Sequence, residues 1–448
     1  MTDQLPLERL ALWVEKRPDA VWLSQPVNGQ WHDFTWAQVD DQARRMATAL
    51  HALGCTPGDR VALLAKNCAE WIIADLAIML AGLISVPLYP LQSAESIDYV
   101  LRHSQCKAIF LGKLDEPAKL APGIPSEVMR IAMPYPTIEA NHGWHALLVA
   151  HQPLCDGHSQ LPDELLSILY TSGTTGQPKG VMLSAKAFAI AGGRSVKELQ
   201  ITEQDQYFSY LPLSHAAERF LVEMNALYSG GRVAFVESLE TFASDLRHVR
   251  PTVFFSVPRL WTRFQQGVLE KLPQPKLARL LGIPLIGGLV ARKIRKGLGL
   301  DRARILVSGA AAIPRALLDW YQSIGITICE GYGMTEHLAY GCFNRPGQVR
   351  FGTVGRPMPG NELRIAENGE ILLRCPSLML GYYQDPEKTA ETITDGWLHT
   401  GDKGEVDAAG YLKITGRVKD IFKTSKGKYI APAPIEGEIA KNLWVEQV

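Results

Sequence analysis

The chain carries no net charge: 46 basic and 46 acidic side chains cancel over 448 residues. A nucleic-acid-binding protein shows a basic excess, so any charged site here must be local. A disulfide framework is lacking too. The seven cysteines, Cys55, Cys68, Cys106, Cys155, Cys329, Cys342 and Cys375, are scattered, odd in number and contain no Cys-x-x-Cys. That suits a reducing cytoplasm without structural zinc. The longest apolar run, Trp71 to Val86, is interrupted by Asp75 and punctuated by Gly82 and Pro87, and reads as a buried helix entering a buried strand rather than a membrane span. The N-terminus, Met1-Thr-Asp-Gln-Leu-Pro6, has no basic segment ahead of an apolar core, so no signal peptide is expected. Internal repeats and low-complexity tracts are absent. The common phosphate loop Gly-x-x-x-x-Gly-Lys-Ser/Thr is missing as well, because Gln177-Pro178 separates Gly176 from Lys179.

What is present is an ordinary globular composition, 46% hydrophobic and 21% charged, at a length of about three domain-sized units. Thr35 is a candidate N-cap for a helix carrying Trp36, Val39, Ala43, Met46, Leu50 and Leu53 at helical spacing and ended by Gly54. Strands at 61–65, 84–88 and 107–111 alternate with helices near 69–81 and 94–103. After residue 180 the alternation resumes with strands at 232–236, 252–256, 304–308 and 326–329. This rhythm predicts parallel, doubly wound sheets with ligands beyond the strands' carboxyl ends. From about 340 it changes: 361–365 and 370–374 flank Asn368-Gly369, a strong hairpin signal, and short strands at 397–399, 404–406 and 411–415 continue a small β-rich, barrel-like part.

The stretch that organises the chain is Tyr170-Thr-Ser-Gly-Thr-Thr-Gly-Gln-Pro-Lys-Gly-Val181. An apolar strand, 165–170, leads into it. Gly173, Gly176 and Gly180 permit a sharp turn and close backbone approach. Thr171, Ser172, Thr174 and Thr175 add hydroxyls and Lys179 a positive charge, a set suited to a polyphosphate. Downstream lie Leu211-Pro-Leu-Ser-His-Ala-Ala-Glu-Arg-Phe220, Ser308-Gly-Ala-Ala-Ala-Ile313, Glu330-Gly-Tyr-Gly-Met-Thr-Glu336, Gly396-Trp-Leu-His-Thr-Gly-Asp402 and Gly416-Arg-Val-Lys-Asp420.

This ordered set resembles the adenylate-forming enzymes, which include acyl-CoA synthetases, peptide-synthetase adenylation domains and beetle luciferases. The Ser-His-x-x-Glu-Arg form and Ser256-Val-Pro-Arg-Leu-Trp261 look like the long-chain fatty acyl-CoA synthetases. No aspartate matches the one that holds an amino-acid ammonium in peptide synthetases.

The resemblance implies an α/β large domain at 1–416, with α/β subdomains at about 1–180 and 181–338 and a β-rich subdomain at 339–416, followed by the start of an α+β lid at 417–448. It implies nucleotide contacts from Thr171, Ser172, Gly173, Thr174, Thr175, Gly176, Lys179, Gly309, Ala310, Ala311, Glu330, Gly331, Tyr332, Gly333, Met334, Thr335, Asp402 and Arg417. Among these Tyr332 would stack on adenine, Thr335 bond the α-phosphate and Asp402 accept the ribose hydroxyls. Lys179, His215, Thr335 and Glu336 would be the catalytic group, with Glu336 holding Mg2+. His215, Glu218, Arg219, Tyr340 and Gly341 would form the acyl pocket, and Lys419 the hinge.

ATP, Mg2+ and CoA are thus the expected cofactors, with a fatty acid and CoA as small-molecule substrates and no nucleic acid. The expected reaction is AMP-forming ligation of a long-chain fatty acid to CoA. An acyl-AMP or acyl-carrier-protein ligase, and a non-catalytic nucleotide- and lipid-binding protein, stay open beside it. Trp444 to Val448 reads as a strand cut short, so most of the lid, with its adenylating lysine, is expected to be missing and adenylation slowed. The basic, apolar segment 271–300 reads as a solvated helix face or as a peripheral contact with the inner face of a membrane. The expected location is cytoplasmic.

Overall fold

A computed structural model of the chain describes residues 4–171 and 177–418, together with the backbone of 422–423 and 429–430. The chain divides into two compact units. The first comprises Met1–Phe242, Met334–Ala339 and Ser377–Pro386, and the second Ala243–Gly333, Tyr340–Pro376 and Glu387–Val448.

The first unit is built on an eight-stranded sheet. Its strands lie in the order Gly381–Tyr382, Lys179–Ser184, Leu165–Thr171, Ile84–Leu88, Arg60–Leu64, Cys106–Leu111, Met129–Ala132 and His142–Gly143. From Leu165–Thr171 onward every neighbour is parallel, as the strand–helix rhythm requires. At the other end Leu165–Thr171 and Lys179–Ser184 pair antiparallel, so the glycine-rich stretch joins two strands that are neighbours in the sheet. The strands read as near-continuous apolar runs because helices cover them. One such helix, Ala69–Leu80, is buried at all of its positions, Glu70 and Asp75 included, which is why its apolar residues show no amphipathic stripe. Helix Trp36–Ala52 starts at Thr35, whose side chain accepts the Gln38 N–H in a capping box.

The same unit contains a second ladder that the sequence reading passed over. Val21–Val27 and Gln30–Thr35 form an antiparallel hairpin through Asn28 and Gly29, both at positive φ (52° and 76°). Asn-Gly in that conformation is a hairpin signal of the same kind as Asn368-Gly369. Arg232–Phe235 lies parallel between Val21–Val27 and Gln206–Ser209.

The second unit carries parallel strands Val253–Ser256, Ile305–Ser308 and Ile328–Tyr332, with Cys342–Phe343 and Arg356–Pro357 antiparallel at the far side. Its other sheet has five antiparallel strands, Glu362–Ile365, Glu370–Arg374, Trp397–Val406, Ile393–Thr394 and Leu412–Arg417. Two expectations are corrected here. The strand expected at 326–329 runs Ile328–Tyr332, because Gly331 and Tyr332 pair with Phe343 and Cys342. Glu330, Gly331 and Tyr332 therefore belong to the strand instead of following it. The separate strands expected at 397–399 and 404–406 are one, Trp397–Val406, which tolerates Gly401 at φ +73° and a register shift at Lys403/Gly404.

Candidate functional site

In the first unit the hairpin sets Lys179 directly across from Thr171. Ser172, Gly173, Thr174, Thr175 and Gly176, expected to contact the nucleotide, lie outside the described residues. Gly180 has no room for a side chain unless its neighbours shift: a Cβ there would meet Ile168 Cγ2 at 2.8 Å and the Tyr170 ring at 3.1 Å. Lys179 Nζ stands 5.7 Å from the centroid of the Tyr382 ring, within cation–π range. The Tyr382 hydroxyl donates to Glu336 Oε1 at 2.8 Å. Tyr382 thus links the two groups expected to handle phosphate and metal, and the sequence reading missed it. The only available signal was position: Gly381–Tyr382 pairs beside Val181 and Met182, a long-range pairing that no local pattern encodes.

Glu336 sits on a 3-10 turn, Thr335–His337. The turn is closed by Leu338 and Ala339, both at positive φ (53° and 55°), and by Ala339 N–H donating to the Met334 carbonyl. Two successive left-handed non-glycine residues are a strained arrangement of the kind found at functional sites. Buried His337 accepts the Met334 N–H on Nε2, and burial pushes its pKa down to about 4, so the ring is neutral and serves the turn. Met379 N–H donates to the Glu336 carbonyl.

His215 caps the short helix Ala216–Glu218, its Nδ1 accepting the Ala217 N–H at 3.1 Å. Burial lowers its pKa, and in the neutral ring the proton must then sit on Nε2, which makes His215 a donor. Asn67 fastens the preceding loop. Its Nδ2 donates to Ser209 Oγ (2.7 Å) and the Leu211 carbonyl (2.6 Å), and its Oδ1 accepts Leu213 N–H.

Glu218 and Arg219, expected in the acyl pocket, are both buried with protein partners for their polar groups. Glu218 Oε1 accepts from Ser209 Oγ at 2.8 Å and Tyr210 N–H at 3.2 Å, and burial pushes its carboxyl up to about 8. Arg219, wholly buried, pairs with Asp75 and with Glu223 (Nε–Oε2 3.0 Å) and donates to Ser85 and Ser167 hydroxyls. Trp71 and Phe188 face its guanidinium at 5.3 and 4.9 Å. Burial raises both carboxyls, Asp75 and Glu223, against the pull of the Arg219 charge.

In the second unit the Tyr332 hydroxyl donates to Asp402 Oδ2 at 2.6 Å, and Arg417 Nε lies 3.3 Å from Asp402 Oδ1. The approach to Asp402 is held by Glu370, which accepts Gly401 N–H (2.9 Å) and contacts His399 Nδ1 (3.2 Å). Gly309 is buried, and a Cβ on it would lie 3.4 Å from the Gly331 carbonyl oxygen. Ala310 and Ala311 are exposed, Ala310 at φ +67°. Glu330 is buried, and that burial raises its carboxyl to about 7; Gly333 is exposed. Tyr340 and Gly341 are the other two residues expected in the acyl pocket. Tyr340 is fully buried with its hydroxyl on the Pro359 carbonyl, and the Gly341 carbonyl is taken by Met358 N–H and Asn361 Nδ2. Lys419 lies outside the described residues.

Among the described residues no three His, Cys, Asp or Glu side chains gather as a metal cage. A lone buried carboxylate such as Glu336 fits Mg2+ only in company with substrate phosphates and water, which is the usual magnesium arrangement.

The site can now be set beside known proteins. Residues 10–383 match the family described as AMP-binding enzyme. The long-chain-fatty-acid–CoA ligase FadD15 of Mycobacterium bovis is 32% identical over 463 residues, covering 96% of this chain and 77% of that protein. Long chain acyl-CoA synthetase 2 of Arabidopsis thaliana is 30% identical, covering 97% and 74%. Among solved structures, the anthranilate CoA ligase AuaEII bound to anthranoyl-AMP superposes with a TM-score of 0.84 at 24% identity, covering all of this chain and 84% of that one. A benzoate CoA ligase from Burkholderia xenovorans does so with a TM-score of 0.81 at 23% identity, covering 99% and 85%. With its doubly wound sheets and a family match over most of its length, the chain belongs to the AMP-binding, adenylate-forming enzymes and is a CoA ligase of that family.

Proposed function

We propose that the protein is an AMP-forming long-chain fatty acid–CoA ligase. The observation that carries this reading is the linked set Lys179–Tyr382–Glu336, in a chain whose curated relatives are named long-chain fatty acid ligases. A fatty carboxylate and a nucleotide triphosphate repel each other, so charge must be offset before they react. Lys179 and backbone amides of the glycine-rich stretch would hold the phosphates, Thr335 the α-phosphate, and Glu336 the magnesium. When bound, Mg2+ supplies positive charge to the phosphate oxygens.

A carboxylate oxygen then attacks the α-phosphorus, the bond to pyrophosphate breaks, and an acyl-adenylate results. His215, with its proton on Nε2, would orient the carboxylate by donating to it. Tyr332 would pack against the base, and Asp402, with Arg417 beside it, would accept the ribose hydroxyls. In the second step the CoA thiol, a partial thiolate near neutral pH, attacks the acyl carbon and AMP leaves. No protein cysteine is needed, and burial raises the thiol pKa of Cys68, Cys106, Cys329, Cys342 and Cys375. Lys419 would serve as the hinge between the steps, and the cytoplasm is the proposed location.

The test is a carboxylate panel from acetate to stearate with ATP, Mg2+ and CoA, reading AMP and acyl-CoA. Turnover rising with chain length supports the reading. Preference for aromatic or short acids, or acyl-AMP released without transfer to CoA, overturns it.

A further inference from the structure

From residue 271 to residue 300 the sequence holds seven Lys and Arg residues and no Asp or Glu. The structure folds this stretch into two helices, Gln274–Leu281 and Ile286–Leu298. They approach closely at buried Gly287, where a Cβ would lie 2.3 Å from the Leu281 carbonyl oxygen. The connection between them displays Leu285 at 90% exposure and a φ of +67°. Leu289 follows at 66%, with Ile286 and Ile283 also exposed. A leucine in left-handed backbone costs energy, and a cluster of exposed aliphatic side chains costs more. Both costs fall on the same hairpin.

Beside these residues opens a cavity of about 270 Å³ lined by Leu289, Arg250, Arg292, Lys293, Lys296 and Asp301. Asp301 is engaged by Arg250, Nε to Oδ1 3.0 Å, so four cations face one carboxylate. No helix among the described residues is long and apolar enough to cross a membrane.

We infer that this hairpin docks on an anionic phospholipid bilayer. Leu285, Ile286 and Leu289 enter the boundary between headgroups and acyl chains, and the cation-lined cavity takes a lipid phosphate. Charge complementarity selects this occupant. Free phosphate would satisfy the cations and leave the leucines in water, whereas an anionic membrane surface satisfies both. The inference does not depend on the catalytic reading.

The experiment is co-sedimentation of the whole chain with vesicles of pure phosphatidylcholine and with vesicles containing phosphatidylglycerol, at low and high salt. Binding is expected only to the anionic vesicles, weakening with salt. Leu285→Asp/Leu289→Asp should abolish it, and each of Arg292→Gln and Lys293→Gln should weaken it about fivefold. Inorganic phosphate at the lipid-phosphate concentration should not release the protein. Equal binding to neutral vesicles overturns the inference, as do anionic binding untouched by the leucine pair and full release by phosphate. The substituted side chains are exposed, and an unchanged melting temperature confirms that each variant is folded.

Discussion

Glu336 and Tyr382 separate chemistry from support at the level of single side chains. Glu336→Gln keeps the shape and the acceptor for the Tyr382 hydroxyl but removes the charge that magnesium would need. Fatty-acid-dependent pyrophosphate exchange should fall by about 10²–10³, with little change in melting temperature. Tyr382→Phe removes one hydrogen bond to a carboxylate, so exchange should drop only about tenfold, in line with roughly 1.5 kcal/mol. Equal effects from the two would contradict this division. Glu218 gives a pH prediction with a definite sign. Its folded pKa, about 8, lies above the ordinary value of 4.5, so the stability it contributes is complete below about pH 4.5 and is lost as pH rises through 8. Glu218→Gln should remove that slope, and above pH 8 the variant should melt several degrees higher than the parent.

Arg219 shows how elements are tied together. Its guanidinium joins helix Ala69–Leu80 through Asp75, strand Ile84–Leu88 through Ser85 and strand Leu165–Thr171 through Ser167. It does so from a π-helical turn, Arg219–Met224. Arg219→Met strands two buried carboxyls and should cost about 3–5 kcal/mol in urea unfolding. Adding Asp75→Asn should recover a measurable part, because it removes one of the two stranded carboxyls. The hairpin bearing Lys179 is equally exacting. Gly180→Ala forces a Cβ against Ile168 and Tyr170 and should cost about 1–3 kcal/mol, read as a lower melting temperature. Most of these helices and strands were legible because alternation and capping are local: Thr35, Gly54 and Asn368-Gly369 each end or turn an element by their own chemistry. Glu330–Tyr332 was missed because Gly331 interrupts the apolar run, and only the partner strand Cys342–Phe343 shows that it lies within a ladder. Arg219 was singled out by the resemblance alone, and its pairing with Asp75, 144 residues away in sequence, is supplied by tertiary packing that no local pattern encodes.

At the scale of the whole molecule the two compact units are interleaved in sequence, three segments each. The order of motifs could be read along the chain, but which motifs share a unit could not, since that depends on where the backbone returns. Thr335 and Glu336 group with Lys179, while Tyr332, three residues earlier, groups with Asp402. A chimaera joined to a homologue at residue 242 alone should therefore unfold with lost cooperativity, measured by coincidence of fluorescence and circular dichroism transitions. One that exchanges Met334–Ala339 and Ser377–Pro386 together with Met1–Phe242 should unfold cooperatively. Interleaving also bears on descent. Recombination that moves a single contiguous gene fragment cannot hand on either unit intact, because each needs all three of its segments to travel together.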